Sequence, residues 1–136
     1  MKNIYQHVQS IVIDECVSEF KLDKKEIDQL NFVVEKPKDV TNGDLSTNIC
    51  LLLSKILNNK PITIAKKLSE RLSGHKEFIK VTIAKPGFVN FWVNNSLLHS
   101  FLSEMLSNKE IIPRLANNET INVEYVSANP TGPLHV

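Results

Sequence analysis

Long apolar runs are missing from this sequence. The longest, Ile49-Cys50-Leu51-Leu52-Leu53, is soon followed by Lys55. It falls far short of the ~20 apolar residues that a membrane-crossing helix needs. The first residues, Met1-Lys2-Asn3-Ile4-Tyr5-Gln6-His7, lack the apolar core of a secretory signal. Low-complexity tracts and internal repeats are absent too, which argues against linker-like or solenoid chains. Cysteine is scarce. Cys16 and Cys50 stand in no metal-ligand spacing and lie among apolar neighbours, so both are expected to pack in a core. No metal site is expected. A charge excess is also lacking: 16 basic residues face 15 acidic ones, for a formal net charge of +1. Bulk charge therefore does not announce a nucleic-acid binder. What remains is a cytoplasmic chain of 136 residues, 42% hydrophobic and 23% charged, with material for one compact domain.

The distribution of charge says more than its sum. Residues 1–59 hold seven lysines against nine acidic residues, and residues 86–136 hold two basic against four acidic. Between them, Lys60, Lys66, Lys67, Arg71, Lys76, Lys80 and Lys85 face only Glu70 and Glu77, a surplus of five. Two readings follow: a surface for an anionic partner, or an ordinary solvated helix face.

Periodicity places the elements. Ile4, Val8, Ile11, Val12 and Val17 share a stripe, which predicts a helix over 3–20. Asp23 and Glu26 form a capping-box pattern that opens a short helix over 24–30. Residues 31–35 read as a strand, and 37–43 as a loop. A helix is expected to start near Asp44 or Ser46, with Leu45, Ile49, Leu52, Leu53 and Ile56 on one face. Pro61 opens another, which buries Ile64, Ala65, Leu68 and Leu72 and stops at Gly74. Ile79, Val81 and Ile83 alternate with Phe78, Lys80 and Thr82, Pro86-Gly87 turns the chain, and Phe88 to Val93 return. Asn94, Asn95 or Ser96 caps a last helix with Leu98, Phe101, Leu102 and Met105 on its stripe. The expected fold class is α+β: an antiparallel sheet in two layers with helices on one side. It covers residues 1–108. Residues 109–119 read as a linker.

Residues 120–136 open something different. The strand Ile121 to Val126 runs into Ser127-Ala128-Asn129-Pro130-Thr131-Gly132-Pro133-Leu134-His135-Val136. In an open α/β sheet, ligands sit beyond the carboxyl ends of strands. Gly132 permits close approach of a ligand to backbone, and His135 is placed to donate a hydrogen bond to phosphate. An ordinary strand exit with an exposed histidine fits these features equally well. A strand with nothing after it is not a domain, so the native protein is expected to continue.

The string Val123-Glu124-Tyr125-Val126-Ser127-Ala128-Asn129-Pro130-Thr131-Gly132-Pro133-Leu134-His135-Val136 closely resembles the opening strand and nucleotide-binding signature of bacterial arginyl-tRNA synthetases. Upstream, Gly43-Asp44-Leu45-Ser46-Thr47-Asn48 looks like that family's entry into a helix. Pro61 to Ala65 looks like its next helix start. Lys85-Pro86-Gly87-Phe88-Val89-Asn90-Phe91 is similar to its Pro-Gly-Phe-Ile-Asn-Phe hairpin. The likeness is loose before residue 43 and tight after residue 123.

The resemblance implies an arginine–tRNA ligase, which forms arginyl-adenylate from ATP and arginine and passes the arginyl group to tRNA(Arg). It implies an N-terminal additional domain that contacts the outer corner of the tRNA near its D-loop, then the first strand of a truncated Rossmann-like catalytic domain. The signature Ala128, Asn129, Pro130, Thr131, Gly132, Pro133, Leu134, His135 and Val136 would belong to ATP binding. His135 would stabilise charge on the phosphates as the catalytic residue. Glu124, Ser127 and Asn129 would hold the arginine substrate, the first through a charge-assisted pair with its guanidinium. Lys85, Phe88 and Asn90 would contact tRNA, with the ring stacking on a base and the amide reading its edge. Lys80 and Lys76 would meet phosphates nearby. ATP is a substrate here, Mg2+ is expected to accompany it in the full-length enzyme, and no prosthetic group is implied. The parent is expected to be monomeric and away from membranes, and these 136 residues alone are expected to be inactive. Two other readings are a stand-alone RNA-binding module without catalysis and a purely structural α+β domain.

Overall fold

A computed structural model describes residues 3–108, 120 and 122–124. Helix α1 spans Ile4–Phe20 and begins with a reciprocal cap. Asn3 Oδ1 accepts from the Gln6 amide at 2.9 Å, and Gln6 Oε1 accepts from the Asn3 amide at 3.1 Å. Val8, Val12 and Cys16, four apart, are buried with Ile13, while Ile4, Ile11 and Val17 are only half-buried. The helix stops where Lys21 adopts a left-handed conformation. Helix α2, Lys24–Asp28, carries the expected capping box at Asp23 and Glu26 and sinks Ile27 into the core.

Strand β1 is Val34–Glu35, and β2 is Leu45–Thr47. The second departs from the sequence reading, which opened a helix here. Gly43 takes φ +96°, which lets the chain lie against β4: a Cβ on it would come 2.7 Å from Phe91 O. Asp44 then donates its amide to Phe91 O at 2.8 Å and accepts from the Val93 amide through Oδ2 at 2.8 Å. This clamp commits the next three residues to a ladder, Leu45↔Phe91, Ser46↔Asn90 and Thr47↔Val89. Pairing with a strand more than forty residues away overrides a local helical period. Helix α3 starts afterwards, at Ile49–Ile56, and α4 follows at Pro61–Leu72.

Strands β3, Phe78–Ala84, and β4, Phe88–Val93, form the expected hairpin. The sheet is antiparallel throughout, in the order β1-β2-β4-β3. The alternation predicted for β3 fails at its start. A register shift between Phe78 and Lys80 turns Phe78 into the core beside Phe91, with ring centroids 4.8 Å apart, and leaves Ile79 68% exposed. One extra residue in a strand reverses the facing of everything before it. Helix α5, Asn95–Asn108, starts where Asn94 Oδ1 accepts from the Ser96 amide at 3.0 Å.

The helices lie on one side of the sheet. Helices α1, α3 and α4 pack against its strands, α2 packs on α1, and α5 turns back so that Phe101 meets His7 of α1 edge-on at 5.6 Å. Leu45, Val89, Phe91 and Val93 face this layer and are buried with Ile49, Leu53, Ile64, Leu68 and Leu72. Cys16 and Cys50 are free and buried in the same core, where burial pushes both thiols up, Cys50 to about 12. Arg71 on α4 straps α1, meeting Glu15 and Glu19 and donating to Ser18 Oγ at 2.9 Å. His75 Nε2 joins Glu15 Oε1 at 3.0 Å. Burial raises the Glu15 carboxyl, but hydrogen bonds from Arg71 and His75 outweigh that and hold it below its ordinary value.

The strand expected over 121–126 is not seen where it can be judged. Asn122, Val123 and Glu124 are exposed and belong to no strand. A strand exists by pairing, and no described strand lies beside these residues. Among the described residues no helix is long and apolar enough to cross a membrane.

Candidate nucleic-acid interface

Strand β4 alternates, and its two faces have different tasks. Val89, Phe91 and Val93 point into the helical layer, so Phe88, Asn90 and Trp92 point the other way, onto a face that no described helix covers. The register puts a polar row across this outer face: Glu35, Ser46, Asn90 and Thr82 stand side by side on the four strands. Phe88 pairs with Ala84 on one side of the row, and Trp92 pairs with Lys80 on the other.

A cleft of about 400 Å³ opens over the row. Its floor is Ser46 and Asn90, its hairpin wall is Ala84, Lys85 and Phe88, and its far wall comes from Glu35 and the loop that carries Pro37, Lys38, Asp39 and Asn42. That loop is held in shape locally. Asp39 caps the 3-10 turn Val40–Asn42, accepting from the Thr41 hydroxyl at 2.7 Å and its amide at 2.9 Å. The hydroxyl bond first, then the amide bond, keeps its carboxyl below the usual range. On the hairpin side the Lys85-Pro86 peptide is cis. Gly87 presses on the start of α4, where a Cβ would come 2.6 Å from Pro61 Cβ. Any side chain at 87 would push the hairpin tip off the helix.

The three residues expected to touch RNA are brought together. Lys85, Phe88 and Asn90 all line the one cleft. Phe88 is half-buried and offers ring surface, while Asn90 is 3% exposed and is bonded to Ser46, whose Oγ donates to Asn90 Oδ1 at 2.8 Å. Lys80 stands further along the same face, with Nζ 4.8 Å above the Trp92 ring, a cation–π distance. Lys76 lies elsewhere, beside His7 and the start of α5.

The basic block between residues 60 and 85 is divided by this fold. Lys66 and Lys67 are exposed on α4 in the helical layer, Arg71 is occupied by α1, and Lys80 and Lys85 are on the opposite face. It is not one continuous anionic-partner surface. The cleft itself mixes Lys38 and Lys85 with Glu35 and Asp39. Such a balanced lining around an amide and an aromatic ring suits a neutral, flat, polar-edged group better than a bare phosphate.

The remaining expected site residues do not join it. Glu124 is exposed and makes no hydrogen bond or ion pair with any described residue. Ser127, Ala128, Asn129, Pro130, Thr131, Gly132, Pro133, Leu134, His135 and Val136 lie outside the described residues. Two residues of the face had no part in the sequence reading of the site. The sequence pattern places Ser46 at a helix start and Trp92 within its strand; only the ladder shows that Ser46 joins the row and Trp92 flanks it.

The profile described as the arginyl tRNA synthetase N-terminal domain matches residues 2–93. The chain belongs to the arginyl-tRNA synthetase family. Among its relatives is the arginine–tRNA ligase of Orientia tsutsugamushi strain Boryong, 38% identical over 98% of this chain and 25% of the relative. That of Wolbachia sp. subsp. Brugia malayi strain TRS is 37% identical over 98% of the chain and 24% of the relative. That of Staphylococcus carnosus is 38% identical over 98% and 25%. The chain thus spans about a quarter of the length of the curated relatives it matches. The matched domain, residues 2–93, contains every wall of the cleft.

Proposed function

We propose that this chain is the tRNA-gripping domain of an arginine–tRNA ligase, and that the cleft on the helix-free sheet face receives an unpaired base of tRNA(Arg) near its D-loop. The observation that carries this reading is the convergence of Phe88, Asn90 and Lys85 on one cleft. An exposed base would stack on the Phe88 ring, meet the Asn90 amide at its edge and place its phosphate within reach of the Lys85 ammonium. Lys80 extends the same face for the neighbouring backbone.

Titration of the chain with tRNA(Arg) at low salt tests this. Binding is expected to be weak and to fall with added salt, because few lysines share the face. Phe88→Ala is expected to weaken it roughly tenfold, the scale of one lost base stack. Binding that ignores Phe88→Ala and Asn90→Ala would remove the cleft from the interface.

For the longer enzyme to which the relatives point, the proposed reaction is ATP-dependent activation of arginine followed by transfer to tRNA(Arg). His135 would act on the ATP phosphates, while Glu124, Ser127 and Asn129 would hold arginine. These 136 residues contain no Lys-Met-Ser-Lys-Ser-type sequence, the second signature of class I synthetases. No arginine-dependent exchange between ATP and pyrophosphate is expected from them, and detectable exchange by the purified chain would refute that.

A further inference from the structure

Asn90 lies in the floor of the cleft and is almost wholly buried. A primary amide carries acceptor lone pairs at one end and two N–H donors at the other. Half a turn about its last bond exchanges them within the same volume. Which end faces the cleft decides what a base must offer in return.

Ser46 settles the choice. It stands directly opposite Asn90 in the β2–β4 pair, is itself 7% exposed, and its hydroxyl donates to Asn90 Oδ1 at 2.8 Å. Among the described residues the Ser46 hydroxyl donates to this oxygen alone. Turning the amide over would make Nδ2 the donor to the Ser46 oxygen, oblige the hydroxyl to find another acceptor and bring Oδ1 to the cleft. Asn90 Nδ2 meanwhile bonds to no described residue, yet it is not among the buried atoms that lack a partner. It is therefore accessible from the cleft, with its donors unspent.

We propose that Ser46 is a positioning residue that holds the Asn90 amide with its N–H donors toward the cleft, so that the cleft selects a base through an acceptor atom, a ring nitrogen or a carbonyl oxygen. This rests on the cleft being a base pocket. The contribution of Ser46 comes through Asn90: it filters bases by the polarity of the edge they present.

The test uses the 136-residue chain and tRNA(Arg) transcripts in which each unpaired D-loop nucleotide is set in turn to all four bases. The readout is the spread in affinity between the best and worst base, because partial misfolding lowers all four together and leaves the spread intact. Ser46→Ala is expected to narrow the spread by about fivefold, the scale of one hydrogen bond. Ser46→Thr is expected to restore it, since the hydroxyl is kept and the cleft has room for a methyl group. Asn90→Asp has nearly the same shape but only acceptors, so it is expected to reorder the four bases. A wild-type spread in Ser46→Ala, or a wild-type order in Asn90→Asp, would overturn the proposal. If RNA binding depends on Phe88 but shows no spread at any position, this inference fails and the base pocket stands. If binding does not depend on Phe88 at all, the pocket reading fails first.

Discussion

The two faces of β4 are made from alternate residues of one strand, yet they obey different rules. The inner face, Val89, Phe91 and Val93, is apolar and closed by α3 and α4. Its value lies in volume and shape, because a close-packed interior responds to every methylene. The outer face, Phe88, Asn90 and Trp92, is built from an aromatic–amide–aromatic sequence, and no described helix covers it. Its value lies in what its groups still have free. Asn90 shows the difference most directly: it is as buried as a core residue, but one end of its amide makes no hydrogen bond to a described residue. Burial and function are separated here by facing rather than by region of the chain.

Substitutions that treat the faces alike should expose that contrast. Phe91→Ala should cost about 3–5 kcal/mol of stability, the scale for a fully buried phenylalanine. Phe88→Ala should cost about 1 kcal/mol, since its ring is only half-buried. Denaturant unfolding of both variants beside their RNA binding would show one losing the fold and the other losing the ligand. Equal stability losses would collapse the distinction.

Gly43→Ala should come next, at about 1–3 kcal/mol, because it forces a side chain into φ +96° and against Phe91 O. It touches both faces, since the same Cβ would lie 3.2 Å from the Trp92 ring. Tryptophan fluorescence should shift along with the unfolding midpoint. An unchanged midpoint would mean that β2 does not need the clamp.

The α1–α4 strap offers a smaller effect confined to the inner side. The Glu15 carboxyl is held below its ordinary value of 4.5, so its contribution is complete above that pH and is lost as pH falls through the lowered value. Arg71 is exposed, so solvent screening keeps the contribution of the pair small. Glu15→Gln should therefore reduce stability slightly at neutral pH and converge with the parent in acid. RNA affinity should not follow it. A difference that grows in acid would reverse the sign.

Smallest of all should be Lys80→Gln, which removes one cation from the outer face. The dependence of log affinity on log salt should become shallower by roughly 0.7, one phosphate contact on a single strand, with stability unchanged. An unaltered slope would take Lys80 out of the interface.

Much of this molecule can be read from local pattern. The α1 stripe, the Asp23 cap, the Pro61 start and the Pro86-Gly87 hairpin all announce themselves within a few residues. The errors arise where a distant partner decides. Leu45 fits a helical face with Ile49 and Leu52, and nothing local shows that Asp44 will bind β4. Ile79 fits a perfect alternation, and nothing local shows the bulge. The site follows the same division. Lys85, Phe88 and Asn90 sit within six residues and can be read together, whereas Ser46 lies 44 residues from the amide it bonds. The string around His135 resembles the family's signature, but its residues lie outside the part of the chain that the structure describes.

The Ser46–Asn90 bond also limits how far this site can be transplanted. A hairpin lifted onto another scaffold would bring Lys85, Phe88 and Asn90 with it and leave behind the serine on a neighbouring strand. The ring would still stack, but the amide would turn freely and discrimination would be lost. A borrowed hairpin would be sticky toward RNA without being selective, and the smallest portable unit is the seam between β2 and β4.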